Sequence, residues 1–145
     1  MILPDINVWL ALAVSNHGHH AAAVRWLATH HAPASLAFCR ATQQGYLRLL
    51  SNDRMMKNYS LPPLTNARAW DCYEALRQDD RVTFLAEPGG IEPLWHDLAA
   101  RDTASGKLWM DAFLAAFAVA GGHEIVTFDS GFRQFAGLKL HLLPS

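Results

Sequence analysis

The chain has 145 residues, of which 51% are apolar and 17% are charged, and this composition excludes an intrinsically disordered protein. The length suits one domain over residues 1–145, with a hydrophobic core that needs no stabilising disulfide. The formal net charge of −1 excludes nucleic-acid binding driven by overall positive charge, so any basic surface must be local.

The start of the chain and its cysteines bear on where the protein is found. Asp5 interrupts the apolar opening, so we expect no signal peptide. The longest apolar stretch, residues 108–120, contains Asp111 and is too short to span a bilayer. We interpret Cys39 and Cys72 as free thiols in a reducing compartment, with a single disulfide as the alternative. We therefore expect a soluble, cytoplasmic protein with no membrane partner.

Short apolar segments alternate with segments of helical periodicity along the chain. The predicted strands are residues 1–4, 35–38, 82–85, 124–128 and 141–143. The predicted helices are residues 6–14, 20–30, 41–50, 64–76, 91–100 and 107–120, with Thr65 as the N-cap of the fourth. This alternation predicts an α/β fold, a three-layer α/β/α sandwich with a central, mainly parallel sheet.

Asp111 stands in the most apolar helix of the chain. Residues 108–119 are apolar on all sides of the helix, which predicts burial, and Asp111 is the only charged residue between Lys107 and Glu124. A lone buried carboxylate is costly unless a partner neutralises it. Asp111 is therefore a candidate metal ligand, and the alternatives are a helix cap or an ion pair with an arginine.

Two further aspartates follow predicted strands directly. Asp5 follows the first predicted strand and Asp129 the fourth, and the carboxyl ends of parallel strands share one edge where ligands bind. Each aspartate by itself could simply cap the next helix. With Asp111 they form a set of three carboxylates, which persists mainly where a divalent cation offsets the repulsion. Oxygen ligands favour Mg²⁺ or Mn²⁺.

Three motifs occur in order along the chain. Residues 5–10 resemble a D-x-N motif, residues 111–116 a D-A-x-L-A-A helix, and residues 127–132 a T-x-D-x-x-F motif. This ordered trio, spanning nearly the whole chain, resembles the PIN domains of VapC-type toxins.

The resemblance implies a metal-dependent endoribonuclease that hydrolyses structured RNA such as a tRNA or rRNA. It also implies a cognate antitoxin, self-association as a homodimer, and Asp5, Asp111 and Asp129 as catalytic metal ligands. Asn7, Thr127 and Ser130 are then the polar groups expected to support the ligands or to hold a bridging water.

The chain departs from the family at one position. Such proteins usually carry a Glu in the third or fourth helix region, whereas the matching residues 40–50 contain no carboxylate and Gln43 stands where the Glu would be. A Gln offers an oxygen but no charge, so we predict one well-occupied metal and a weak second position. Gln43 also motivates an alternative, a PIN-like RNA-binding or protein-interaction module with little activity. A third hypothesis, a phosphohydrolase of small nucleotides, lacks the expected Gly-rich phosphate loop.

Residues 39–59 form a basic segment, because they include four basic residues and only one acidic residue, Asp53. These residues are candidates for RNA phosphate binding, and solvated helix charges are an equally good interpretation. They are Arg40, Arg48, Arg54 and Lys57.

Histidines and tryptophans are also grouped in the sequence. His17, His19 and His20 lack the further ligands of a zinc site, so we interpret them as a solvated loop before the second helix. Most tryptophans stand at helical spacing among Leu and Ala, which favours core packing over base stacking. They are Trp9, Trp26, Trp70 and Trp95.

Overall fold

The computed structural model describes residues 1–144. Its strands are β1 (Ile2–Pro4), β2 (Leu36–Phe38), β3 (Val82–Phe84), β4 (Glu124–Thr127) and β5 (Lys139–Leu142). Its α-helices are α1 (Ile6–Ala13), α2 (His20–Leu27), α3 (Arg40–Leu50), α4 (Asp53–Lys57), α5 (Asn66–Arg77), α6 (Ile91–Ala99) and α7 (Gly106–Gly121). A short 3₁₀ helix covers Ser130–Gln134.

The strands form one sheet in the order β3-β2-β1-β4-β5. All four strand pairs are parallel; β1 pairs with β4 in the register Ile2 to Glu124, and β4 with β5 in the register Glu124 to Lys139. The predicted parallel sheet is confirmed, and the described strands include no antiparallel pair. The last strand begins two residues earlier than predicted, because this edge strand is half-exposed and lacks a continuous apolar run.

Alternating side chains of the strands pack against helices on both faces of the sheet. Leu3 and Ile125 point into the core formed with α6 and α7. Leu36, Phe38 and Val126 point into the opposite core, which α1, α2, α3 and α5 complete. The predicted three-layer α/β/α arrangement is therefore confirmed. Among the described residues, every helix is too short or too polar to cross a membrane.

Helix α1 begins immediately after β1, which fixes the first predicted ligand. Asp5 is the N-cap of α1, and its side chain accepts a hydrogen bond from the Ile6 amide. Helix α3 approaches α1 closely at Gly45, where a Cβ atom would overlap the side chain of Ile6. A glycine at this point thus permits the contact that holds the start of α1 against α3.

The first turns of α7 differ from the prediction of burial on all sides. Trp109 and Met110 are 50% and 53% exposed, whereas Ala115 and Phe117 further along are buried. The parallel topology places the start of α7 at the carboxyl edge of the sheet, where the core no longer covers the whole helix. Helix α6 supports this end through the Trp95 indole, which donates to the Trp109 carbonyl at 2.9 Å.

Candidate active site

A hydrogen-bond network surrounds Asp5 at the carboxyl edge of β1 and β4. The Thr127 hydroxyl donates to Asp5 Oδ2 at 2.8 Å, and the Ile6 amide donates to Oδ1 at 2.7 Å. The Asn7 amide group donates to Asp5 Oδ2 at 3.1 Å and to Thr127 Oγ1 at 3.0 Å. The structure thus brings Asn7 and Thr127, both singled out in the sequence, onto Asp5.

Thr127 also connects Asp5 with Asp129. The Asp129 amide donates to Thr127 Oγ1 at 3.0 Å, so one hydroxyl joins the turns that follow two neighbouring strands. Asp129 caps the 3₁₀ helix by accepting from the Gly131 amide at 2.8 Å. Asp5 and Asp129 are therefore both helix caps, as the simpler interpretation expected, and they lie at one sheet edge, as the parallel topology predicted.

Lys107 lies between the other two carboxylates, and sequence reasoning did not single it out. Its ammonium group donates to Asp129 Oδ2 at 2.7 Å and lies 3.7 Å from Asp111 Oδ2. The i,i+4 spacing of Lys107 and Asp111 in a helix was the available signal. Asp111 therefore does pair with a basic residue, although this residue is a lysine and the alternative considered was an arginine. The Asp111 side chain is 21% exposed, so it is only partly buried.

The charges of the three carboxylates are unevenly compensated. Burial raises the pKa of Asp5 to about 6; the neighbouring Asp111 and Asp129 charges add to this rise, and the Thr127 hydrogen bond opposes it. Burial also raises the pKa of Asp111, against the attraction of Lys107. The Lys107 hydrogen bond lowers the pKa of Asp129. Asp5 is therefore the carboxylate that most needs a further positive charge.

These features fit a hard divalent cation in donor chemistry and charge. Asp5 is a poorly compensated oxygen donor, and the Lys107 ammonium already occupies a cation's place between Asp129 and Asp111. As the side chains lie, residues 1–144 hold no group of three His, Cys, Asp or Glu side chains close enough to bind an ion together. Binding a metal through all three aspartates thus requires their side chains to turn and Lys107 to move.

The structure does not bring Gln43 or Ser130 onto the carboxylates. Gln43 is buried and accepts a hydrogen bond from Arg40, and both line a cleft between α3 and α5. Ser130 lines a different cleft, shared with Phe128 and Arg133. Within the described residues, no hydrogen bond joins either side chain to Asp5, Asp111 or Asp129.

The four basic candidates are spread over α3 and α4. Arg40 opens α3 at the carboxyl edge of β2, and its guanidinium stacks over the Phe84 ring at 4.8 Å. Arg48 is about 12 Å further along the helix axis, since an α-helix rises about 1.5 Å per residue. Arg54 and Lys57 lie on α4, where Lys57 pairs with Asp53 in an exposed ion pair. Only Arg40 thus stands at the edge that carries the carboxylates.

The side chains of the histidine loop are more buried than predicted. His19 stacks on Phe128 with ring centroids 4.3 Å apart, and His17 stacks on Tyr59 at 4.9 Å. His20 Nδ1 lies 2.7 Å from the Ala11 carbonyl oxygen, so the prediction of a merely solvated loop was wrong. His17 and His19 are partly buried because they pack on aromatic rings, and only His19 packs on a ring of the Thr127–Asp129 turn, that of Phe128.

Tryptophan burial follows the prediction only in part. Trp9 and Trp26 are buried in the core, as expected, whereas Trp70 on α5 is 47% exposed. Its indole nitrogen donates to Glu74 at 3.0 Å on the surface of the same helix. Cys39 and Cys72 are free thiols, as predicted.

Comparison with known proteins identifies the family. Residues 2–138 match the model of the PIN domain. The chain is 51% identical over 144 residues to ribonuclease VapC41 of Mycobacterium tuberculosis, covering 99% of both chains. It is 32% identical to ribonuclease VapC39 of the same organism, covering 95% of both chains.

Two solved structures share the fold at low sequence identity. One is the crystal structure of Mycobacterium tuberculosis VapC20, described as a Sarcin-Ricin loop cleaving toxin, with a TM-score of 0.66 and 18% identity. The other is VapBC2 from Rickettsia felis bound to a DNA fragment from its promoter, with a TM-score of 0.64 and 13% identity. Each comparison covers 99% of this chain and 100% of the other. The family match and the full-length relatives together show that the chain belongs to the PIN-domain family, as a ribonuclease of the VapC toxin type.

Proposed function

We propose that this protein is a Mg²⁺-dependent endoribonuclease, also active with Mn²⁺, that hydrolyses phosphodiester bonds in structured RNA such as a tRNA or rRNA. It acts in the cytoplasm as the toxin of a toxin–antitoxin pair. One observation carries the proposal: Asp5, Asp111 and Asp129 lie at one sheet edge, where Lys107 pairs with Asp111 and Asp129 and the charges of these two aspartates act on Asp5. Such an edge offers oxygen ligands and an excess of negative charge to a divalent cation.

In this proposal the residues at the sheet edge have different roles in hydrolysis. Asp5 and Asp111 would hold the ion, and Asp129 would either bind it or orient the attacking water. Asn7 and Thr127 fix the Asp5 carboxylate through their hydrogen bonds. When bound, the ion supplies charge that polarises the scissile phosphate and lowers the pKa of a water. Gln43 bonds Arg40 and adds no fourth carboxylate to the three aspartates, so we propose one well-occupied metal position.

The surroundings of the carboxylates suit a large anionic substrate. An open cleft of about 310 Å³ lies beside Asp111, and Arg101, Lys107 and Gln134 line it. Basic side chains beside the carboxylates are suited to binding RNA phosphates on either side of the scissile bond. The description of VapC20 as a Sarcin-Ricin loop cleaving toxin supports structured RNA as the substrate class.

Cleavage assays on purified tRNA and rRNA test this function. We expect cleavage with Mg²⁺ or Mn²⁺, none in EDTA, and none from the Asp111→Asn variant with either metal. Asp97→Asn is the matched control, because Asp97 is an exposed aspartate on α6, and it should cleave like the unaltered protein. Full activity in EDTA would overturn the metal-dependent mechanism. Absence of cleavage with both metals would favour the alternative, a PIN-like binding module without activity.

An antitoxin is the second partner that we propose. Trp109 and Met110 are exposed beside Asp111, and with Phe113 they line an apolar groove next to the site. An exposed apolar patch at this place suits a protein that covers the site. Such a protein can place an arginine among the carboxylates in place of the metal.

Expression in growing cells tests the toxin assignment. We expect the chain alone to arrest growth, and co-expression of the neighbouring gene product to restore it. The same product should bind the purified chain, which we also expect to form homodimers in light scattering. Harmless expression together with no binding by the neighbouring gene product would remove the toxin assignment.

A further inference from the structure

A second cleft, of about 360 Å³, opens between α3 and α5 beyond the end of β3. We call it the arginine–aromatic cleft, and its defining residues are Arg40, Trp70, Tyr73, Arg77 and Phe84. It carries two arginines against the single carboxylate of Glu74. The cleft is therefore locally cationic in a chain whose formal net charge is −1.

The two guanidinium groups have few partners of their own. Arg40 lies 4.8 Å and Arg77 5.7 Å from the centre of the Phe84 ring, so both cations flank one aromatic side chain. Arg40 donates to Gln43, and Arg77 donates to the Tyr73 hydroxyl at 2.8 Å; both acceptors are neutral.

Most of the donor groups of the two arginines remain available. Neither arginine forms an ion pair within residues 1–144, and each guanidinium donates one hydrogen bond, through Nη1, which leaves most of its Nη donors unused. Arg77 Nε is buried without a partner and is not accessible to a ligand. A guanidinium has five N–H donors, so such a pair is suited to an anion with several oxygens, such as a phosphate group.

Trp70 supplies an exposed aromatic surface in the same cleft. Its side chain is 47% exposed, and its indole nitrogen is held by Glu74 at 3.0 Å, which fixes the ring on the surface of α5. Tyr73 packs beside it with ring centroids 5.4 Å apart. An exposed, oriented indole next to paired arginines is the combination that binds single-stranded nucleic acid, through base stacking and phosphate contacts.

The arginine–aromatic cleft lies at the same carboxyl edge of the sheet as the three carboxylates. Arg40 follows the carboxyl end of β2, and Phe84 ends β3. Strand β1, which Asp5 follows directly, is the next neighbour of β2 in the sheet. With strands about 4.8 Å apart, the end of β3 is about 10 Å from the end of β1. One RNA strand is therefore long enough to reach both places.

We infer that the arginine–aromatic cleft binds a single-stranded segment of the RNA substrate next to the cleaved bond. Arg40 and Arg77 bind a phosphate of this segment, and a base stacks on Trp70. The inference rests on the proposed ribonuclease function and adds a second place where the substrate is held. The cleft favours unpaired nucleotides because a stacked base must leave its own helix.

Binding of a fluorescein-labelled, unstructured oligoribonucleotide about 12 nucleotides long tests this, a length chosen to span both places. Every sample is the full-length chain with Asp111→Asn, which prevents cleavage during the measurement. We expect Arg77→Met to weaken binding about tenfold and to reduce the slope of log affinity against log salt by about 0.7. Trp70→Leu should weaken binding about tenfold without changing that slope.

Arg25→Met is the matched control, because Arg25 is an exposed arginine on α2 outside the cleft. It should change the affinity less than about twofold, since a distant exposed charge is screened by salt. Arg77→Lys keeps the charge and the side-chain length, so its affinity should lie between those of the unaltered protein and Arg77→Met. This variant keeps the test valid if Arg77→Met does not fold.

Two results would overturn the inference. One is equal affinity and equal salt slope for the variants at positions 25 and 77. The other is displacement of the RNA by an acidic peptide at equal concentration, which would make the cleft a protein-docking surface.

Cleavage of tRNA and rRNA by the Arg77→Met chain with Asp111 intact is measured separately. Cleavage at the unaltered rate together with unchanged RNA affinity would reject the cleft and leave the ribonuclease function standing.

Discussion

Asp5→Asn should lower the rate of RNA cleavage at least about 100-fold, because groups that only support a metal ligand already contribute about 10- to 100-fold. Asp5 is the centre of the hydrogen bonds from Ile6, Asn7 and Thr127, and an Asn keeps its shape but loses its charge. Initial rates on tRNA and rRNA at saturating Mg²⁺ measure the effect. A rate within about threefold of the unaltered protein would contradict a metal-binding role for Asp5.

The same substitution should not weaken the fold of the metal-free protein. The pKa of Asp5 is raised from 3.8 to about 6, so the folded state disfavours the ionised carboxylate. The free energy of unfolding therefore falls as the pH rises through this interval, and Asn removes that loss. Two pKa units correspond to about 3 kcal/mol, which is the upper limit of the gain at neutral pH.

Urea unfolding in EDTA checks the stability effect. The difference between Asp5→Asn and the unaltered protein should be small near pH 4 and should increase in favour of the variant up to about pH 7. Asp97→Asn should show no such increase, since Asp97 is exposed on α6. A variant that is less stable at neutral pH would mean that the ionised Asp5 stabilises the fold through its hydrogen bonds.

The sheet and its layers could be predicted because the pattern is local and repeated. Short apolar strands such as residues 124–127 alternate with amphipathic helices, and parallel pairing follows from that alternation. Thr65 was identifiable as an N-cap, and it does accept from the Arg68 amide at 3.2 Å. Helix α4 was not predicted because five residues are too few to show a periodic face.

The candidate site could be predicted as far as strand ends determine it. Asp5 and Asp129 follow parallel strands, so their shared edge is a consequence of topology. Asp111 was predicted to be buried, but its side chain is 21% exposed. The hydrophobicity of a helix does not show where the helix extends beyond the edge of its sheet. The hydrogen bond between Arg40 and Gln43 is local, because the two are three residues apart on α3. Which cleft this pair lines depends on how α3 packs against α5, and this is a tertiary property.

The position of Trp70 and Arg77 in a surface cleft could not be predicted from the sequence for a related reason. Both lie on α5 at a spacing that also suits core residues, and Tyr73 between them is indeed buried. The cleft arises only when α5 packs against α3 and the end of β3. The cleft is lined by residues from three separate segments, and a local sequence pattern does not predict that such segments come together.

Lys107→Met should tighten Mn²⁺ binding to the metal-free protein about tenfold, since the two exposed charge contacts of Lys107 together contribute about 1–2 kcal/mol and about 1.4 kcal/mol is a factor of ten. The Lys107 ammonium lies 2.7 Å from Asp129 and 3.7 Å from Asp111, so an arriving cation must displace it. The lysine side chain is 72% exposed, which keeps the interaction close to its strength in water. Methionine retains the length of the chain and removes the competing charge.

Calorimetric titration of Mn²⁺ into both proteins measures the change without depending on cleavage. Lys139→Met is the matched control, because Lys139 is an exposed lysine on β5 that makes no ion pair among the described residues, and its Mn²⁺ affinity should be unaltered. Equal Mn²⁺ affinity in Lys107→Met and the unaltered protein would show that Asp111 and Asp129 bind the ion without displacing the lysine. A weaker affinity would mean that Lys107 holds the two carboxylates in place for the metal, as an organising partner and not as a competitor.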